Sequence, residues 1–188
     1  MPSGWRIREV SVGHAVQGRF TVLLPHTGDL WSAGPTPSEG TMMSELNEFR
    51  DRYHRSVEAF IQGDPDVQKP LWSARDDVTL ANPLGPPAKG VDAVWQHLDR
   101  AASLISAGQD YTFASIAVVE TDDLAYEVGI ESNMVKLGAA TDRVPISLRV
   151  TTVFRREDGE WRIVHRHADP ITEERSVQSL TQPADHHS

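Results

Sequence analysis

The chain contains no cysteine. That excludes a disulfide framework, a thiolate nucleophile and a cysteine metal site. Long hydrophobic runs are missing too, and nothing approaches the roughly 20 apolar residues of a membrane-spanning helix. The continuous apolar run nearest the N-terminus, Val22-Leu23-Leu24, is too short for the core of a signal peptide. There is no Gly-rich phosphate loop, no Ser-His-Asp ordering and no dinucleotide fingerprint, so no cofactor is expected. Positive charge is scarce: 18 Lys and Arg against 27 Asp and Glu give a formal net charge of -9. In residues 1–41, Arg6, Arg8 and Arg19 balance Glu9, Asp29 and Glu39, so the whole excess lies beyond them. An acidic domain repels phosphate backbones, which argues against a nucleic-acid partner. No membrane contact is expected, and a cytoplasmic location is.

What is present starts with one stretch, Ser147–Pro170. It reads as two long strands joined at Asp158-Gly159, because a two-residue hairpin loop needs positive φ and Asp-Gly tolerates it. On the second arm, strict alternation puts Trp161, Ile163, His165 and His167 on one face and Arg162, Val164 and Arg166 on the other. A strand that spends two imidazoles beside Trp and Ile lines something partly polar, so that face is the candidate pocket wall.

At 188 residues the chain has the length of one domain with a sizeable core. Residues 1–43 read as an N-terminal extension, peripheral or partly disordered. Trp5–Arg8 and Arg19–Leu24 are possible short strands, and Gly28–Gly40 is linker-like. Met42 and Met43 just ahead of the first strong helix leave open a later natural start. The domain proper spans residues 44–170. Ser44 is a plausible N-cap, and Leu46, Phe49, Tyr53, Val57 and Phe60 recur at helical spacing up to Gly63. Asp64-Pro65 looks like the start of a second, shorter helix interrupted at Pro70. Asp77–Asn82 alternates as a strand, and Leu84–Gly90 is a turn-rich loop. A third helix follows Gly90, with Val91, Val94, Trp95, Leu98, Ala102 and Ile105 as its apolar stripe. The period then switches to two over Tyr111–Val119 and Leu124–Val135, ahead of the hairpin. Residues 171–188 read as a mobile polar tail. The expected class is α+β, in the order α-α-β-α-β-β-β-β: a cone of curved, mostly antiparallel sheet packed on three helices, open to a small ligand at one end.

Three segments carry a resemblance to the SnoaL-like, or nuclear-transport-factor-2-like, superfamily. They are Phe60-Ile-Gln-Gly-Asp, then RDDVTLANPLGPPAKGVDAV from Arg75, then TTVFRREDGEWRIVHRHADP from Thr151. The second resembles the segment of ketosteroid isomerases that carries their catalytic base. The third is similar to the closing hairpin of the calcium/calmodulin-dependent protein kinase II association domain. The resemblance covers about residues 44–170 and implies the cone fold and a homodimer formed through the sheet face. It implies no single activity, because this fold hosts isomerases, dehydratases, cyclases, binding modules and assembly domains. Where ketosteroid isomerases carry the basic Asp, this chain has Asn82, which cannot act as a base. Their oxyanion-hole Tyr would fall near Ser56, one turn from Tyr53, and their oxyanion-hole acid near Val150 or Thr151. All three positions depart from the isomerase pattern, which argues against classical ketosteroid isomerisation.

The residues that remain suggest chemistry of their own. His165 or His167 would serve as general acid or base, paired with Glu131 or Asp169 and oriented by the amide of Asn82. The bland alternative is that the imidazoles close hydrogen bonds in a partly polar sheet. His165, His167 and Asp169 on one strand are a weak metal signal, and no metal is expected. Arg149 and Thr151 share a face on the neighbouring strand, where Arg149 would clamp a carboxylate or enolate, or simply form a surface ion pair. Tyr53, Trp72 and Trp95 would cap an apolar ligand or be plain core. Three readings stay open: an acid/base enzyme acting on a small apolar or carboxylated molecule, a non-catalytic binder of such a ligand, and an assembly domain. In each, Val150, Phe154 and Val164 would lie on the exposed sheet face where a second copy packs.

Overall fold

The computed structural model describes residues 5–8, 22–25 and 44–180. In the first unit, β1 (Trp5–Arg8) and β2 (Val22–Pro25) form an antiparallel pair, Trp5 opposite Pro25 and Arg8 opposite Val22. The expected linker at Gly28–Gly40 and the last eight residues of the tail lie outside the described residues.

The second unit opens with α1 (Glu45–Phe60). The Ser44 hydroxyl accepts from the Asn47 amide at 3.2 Å, and Glu45 and Glu48 sit in the first turn, where the helix dipole favours negative charge. Leu46, Phe49, Tyr53 and Val57 form its buried stripe. The expected second helix is absent. Pro65 and Pro70 divide too short a run, Asp64 turns back to accept from the Asp66 amide at 2.9 Å, and only a 3-10 turn forms at Lys69–Leu71. Then come β3 (Thr79–Ala81), the two-residue β4 (Ala88–Lys89) inside the expected loop, and α2 (Val91–Ser103). α2 buries Val94, Leu98, Ala101 and Ala102, while Trp95 is exposed.

The rest of the unit is strand: β5 (Ile105–Glu120), β6 (Leu124–Leu137), β7 (Val144–Glu157) and β8 (Glu160–Asp169). The sheet order is β4-β3-β8-β7-β6-β5, antiparallel except where β3 runs parallel to β8. Asp158 and Gly159, at φ 52° and 88°, make the expected β7–β8 turn. The architecture is thus α+β, with two helices rather than three over one face of the sheet. The core lies between them, where Phe49 and Tyr53 meet Phe154 edge-on at 5.7 and 6.1 Å.

One local irregularity decides what faces that core. Phe154 pairs with Ile163, but Val153 pairs with His165, so Val164 is an extra residue in β8. A bulge of this kind reverses the parity of everything beyond it. Trp161 and Ile163 point inward before the bulge, and Arg166 and Ala168 point inward after it, opposite the buried Thr152 and Val150. His165 and His167 turn to the outer face. The expected pocket wall of Trp161, Ile163, His165 and His167 is therefore split. Val150 and Phe154, expected on the exposed face, are core residues too: they share one parity on the unbroken β7, and Phe154 lies opposite the inward-facing Ile163.

Candidate functional site

A cavity of about 360 Å³ opens between the two helices and the inner face of the sheet. α1 contributes Val57 and Ile61 just beyond its end, α2 contributes Leu98 and Ala101, and β3 contributes Leu80. From the sheet come Glu131 and Asn133 on β6, Leu148 on β7 and Arg166 on β8. Most of the wall is aliphatic, as small-molecule sites usually are, with the polar groups gathered on the sheet side.

Glu131 and Arg166 form the polar corner. Both side chains are almost wholly buried, and Arg166 Nη2 donates to the two carboxylate oxygens at 3.2 and 3.1 Å. Arg166 Nε donates to the Tyr53 hydroxyl at 3.0 Å, which fixes the guanidinium plane. Burial alone would lower the Arg166 pKa, but the charge of Glu131 and the bond to Tyr53 outweigh it, and the pKa is held above the usual guanidinium value. Burial pushes the Tyr53 hydroxyl up, against the pull of the Arg166 charge. Nearby, the Asn133 side-chain oxygen is enclosed and has no hydrogen-bond partner.

A second polar cluster runs along the same sheet face, between α1, β5 and β6. Arg50 Nε donates to Glu127 at 2.7 Å, His54 Nε2 lies 3.3 Å from the same carboxylate, and His54 Nδ1 is 2.8 Å from the Tyr111 hydroxyl. The His54 ring packs on Phe113 with centroids 4.4 Å apart. Phe113 in turn stands directly over Gly129, where a Cβ would lie 2.4 Å from the ring. Burial raises the Tyr111 pKa, and the neighbouring Glu131 charge adds to it.

Of the residues singled out in the sequence, Asn82 lines the cavity, but its side-chain oxygen is taken by the Leu84 amide at 3.0 Å. Tyr53 lies behind Arg166. His165 bonds Thr79 Oγ1 at 2.8 Å on the outer face, and His167 is more than half exposed beside Asp169 at 3.7 Å. Arg149 and Thr151 are on that outer face as well, with Arg149 donating to Asp169 at 2.8 Å. The ion-pair alternative for Arg149 is the one realised. Trp72 packs in the core beside Ile163, and Trp95 is 40% exposed on α2, so neither lines the cavity. Among the described residues no cluster of His, Asp and Glu suits a metal ion. Arg166, Asn133 and Glu127 were missed. A signal existed for the last two: Ala125, Glu127, Gly129, Glu131, Asn133 and Val135 share one parity on β6, with Glu131 among them.

Residues 49–172 match the family model described as a SnoaL-like domain, and the chain belongs to that family. Solved structures share the fold, a nuclear-transport-factor-2-like α+β cone. A ketosteroid isomerase-like protein from Erwinia carotovora atroseptica is 18% identical at TM-score 0.58, covering 70% of this chain and 100% of its own. A candidate dehydratase of the NTF2-like family from Streptomyces avermitilis is 20% identical at TM-score 0.58, covering 69% and 95%. A candidate calcium/calmodulin-dependent protein kinase type II association domain from Thiobacillus denitrificans is 23% identical at TM-score 0.52, covering 65% and 91%. No curated protein matches the chain.

Proposed function

We propose that the domain binds a small, mostly apolar molecule in this cavity and moves a proton on it, in the manner of an isomerase, dehydratase or cyclase. The observation that carries this reading is the buried Glu131–Arg166 pair set in an otherwise aliphatic wall. Such a pair adds little net stability, because desolvation offsets the attraction, so its place in a cavity points to use. Glu131 is the proton acceptor in this reading. Arg166 engages each carboxylate oxygen once, which leaves lone pairs free to face the ligand. The proton passes from a ligand carbon or hydroxyl to Glu131 and returns at a second position or to a departing hydroxyl. Arg166 holds the carboxylate in place and balances the negative charge that develops. The outer-face histidines take no part.

Incubation with small apolar ketones in deuterium oxide tests this reading, with mass spectrometry reading deuterium in the ketone. Glu131→Gln should lose about a hundredfold or more of the exchange rate, the usual loss for a missing general base. Unchanged exchange in that variant would remove Glu131 from the chemistry. A cavity that binds ketones without exchanging them would be a binding module, a reading favoured by the hold of Arg166 on both carboxylate oxygens.

We infer further that two copies pair through the outer face of the sheet. Val119, Leu124 and Tyr126 are exposed there, beside the half-buried Val128, Ile130 and Val153, all paired across β5, β6 and β7. An apolar row of this kind on a curved sheet suits a self-complementary interface.

A further inference from the structure

One polar group of the cavity stands apart from the sheet-side pair, and what it can receive rests on the pocket reading above. Gln68 lies in the turn that leads from α1 into the 3-10 segment at Lys69–Leu71. Its backbone is tied on both sides: its N–H donates to the Pro65 carbonyl at 3.1 Å, and its carbonyl accepts from the Leu71 amide at 3.0 Å. Val67 before it is half exposed, and Lys69 after it reaches Asp66 at 2.8 Å and Asp99 on α2 at 2.6 Å. Of these three residues Gln68 is the one that turns inward. It is 4% exposed and lines the cavity. Among the described residues its carboxamide finds no hydrogen-bond partner, yet neither its oxygen nor its nitrogen is sealed off as the Asn133 oxygen is. Both ends therefore open on the cavity. Burying so flexible a side chain costs entropy, and withdrawing its amide from bulk water with no protein partner costs hydrogen bonds as well. Native structures rarely bear both costs without a use.

The Gln68 oxygen accepts and its nitrogen donates, side by side in one plane. A lone hydroxyl meets one end or the other. A ligand amide or lactam, with C=O beside N–H, meets both at once. Nothing calls for an ionic group: Arg166, the lone cationic side chain among the cavity-lining residues, is already paired with Glu131. Leu80, Leu98 and Leu148 take the apolar body. We propose that Gln68 is a ligand-binding residue and that the cavity takes a neutral, mostly apolar molecule bearing a primary amide or lactam, whose C=O and N–H pair with the Gln68 carboxamide.

The test uses the full chain and four two-ring probes of similar size: methylnaphthalene, naphthol, isoquinolinone and N-methylisoquinolinone. Binding at neutral pH is read by ligand-observed NMR. Isoquinolinone, a lactam, should bind about thirtyfold more tightly than methylnaphthalene, the worth of two well-made hydrogen bonds. Naphthol and N-methylisoquinolinone, which lack the paired C=O and N–H, should fall well short of that gain. Gln68→Met, similar in length and without the amide, should keep methylnaphthalene affinity and erase the isoquinolinone advantage. If that variant folds poorly, the Gln68 side-chain amide protons of the unaltered chain give the answer: isoquinolinone should move them downfield. Isoquinolinone no tighter than naphthol or than its N-methyl form, an advantage that survives in Gln68→Met, or unmoved Gln68 amide protons would overturn the proposal. In each case methylnaphthalene binding would leave the pocket reading standing. Failure of every probe, methylnaphthalene included, would instead remove the pocket reading and this contact with it.

Discussion

Arg166 and Glu131 face each other across the cavity wall, one from β8 and one from β6, with β7 between them. Their charges are nearly excluded from water, so neither tolerates the loss of the other. Arg166→Met should cost about 3–5 kcal/mol, because it strands a buried carboxylate. The double variant Glu131→Leu/Arg166→Met should recover most of that loss. Urea unfolding of both variants checks the pair, and strictly additive losses would show that the two side chains do not act on each other.

Gly129 should not accept a side chain. An added Cβ would lie 2.4 Å from the Phe113 ring and 2.7 Å from the Ala114 carbonyl oxygen. Gly129→Ala should therefore cost about 1–3 kcal/mol of stability by overpacking. It should also displace Phe113 from His54, so the His54 ring resonances should shift in the same variant. Wild-type stability with unmoved His54 signals would contradict the close contact.

His165 has its pKa lowered, first by burial and then by the neighbouring charge of His167. The unfolded chain therefore binds a proton more readily at this position than the folded one. This contribution to stability is complete well above the ordinary histidine value of 6.5. It is lost as pH falls from there through the folded value and levels off beneath it. Chemical unfolding across mildly acidic pH should show that decline, and it should flatten in His165→Gln, which keeps a hydrogen-bonding group near Thr79. An NMR titration placing His165 above the ordinary value would refute the sign.

The outer-face pairing predicts a mass change. Tyr126→Asp or Val128→Asp places a charge in the middle of the apolar row and should shift a dimer towards monomer in sedimentation, with the fold intact by circular dichroism. His167→Ala, on the same face but already solvent-exposed, should leave the cavity's affinity for methylnaphthalene unchanged. A dimer that tolerates both aspartates would place the interface elsewhere.

Much of the fold was legible in the residues because local chemistry reports it. Ser44, the four-residue apolar spacing of α1, Asp158-Gly159 and the alternation of β6 and β7 each satisfy a short-range rule. The second helix failed because two prolines and an Asp turn compete with a weak periodicity over a few residues. Trp95 failed as a ligand contact because helical spacing marks a stripe without saying how much of its edge is covered. The site was less legible than the fold. Of the residues named for the site, Asn82 and Glu131 line the cavity and Tyr53 supports it, whereas Arg166 and Asn133 went unmarked.

The sequence by itself determined the α+β class, the order of the four long strands along the chain, the SnoaL-like family and an acidic, cysteine-free composition. These follow from composition and from patterns a few residues long. Only the tertiary structure decided which face of β8 meets the cavity. One extra residue, Val164, exchanges His165 and His167 for Arg166 and Ala168. Alternation assumes an unbroken pleat, and a bulge is set by how β8 must bend to follow β7 on one side and β3 on the other. No period in the strand itself records that, so the change from an imidazole wall to a buried Glu–Arg corner became visible only once the strands were paired.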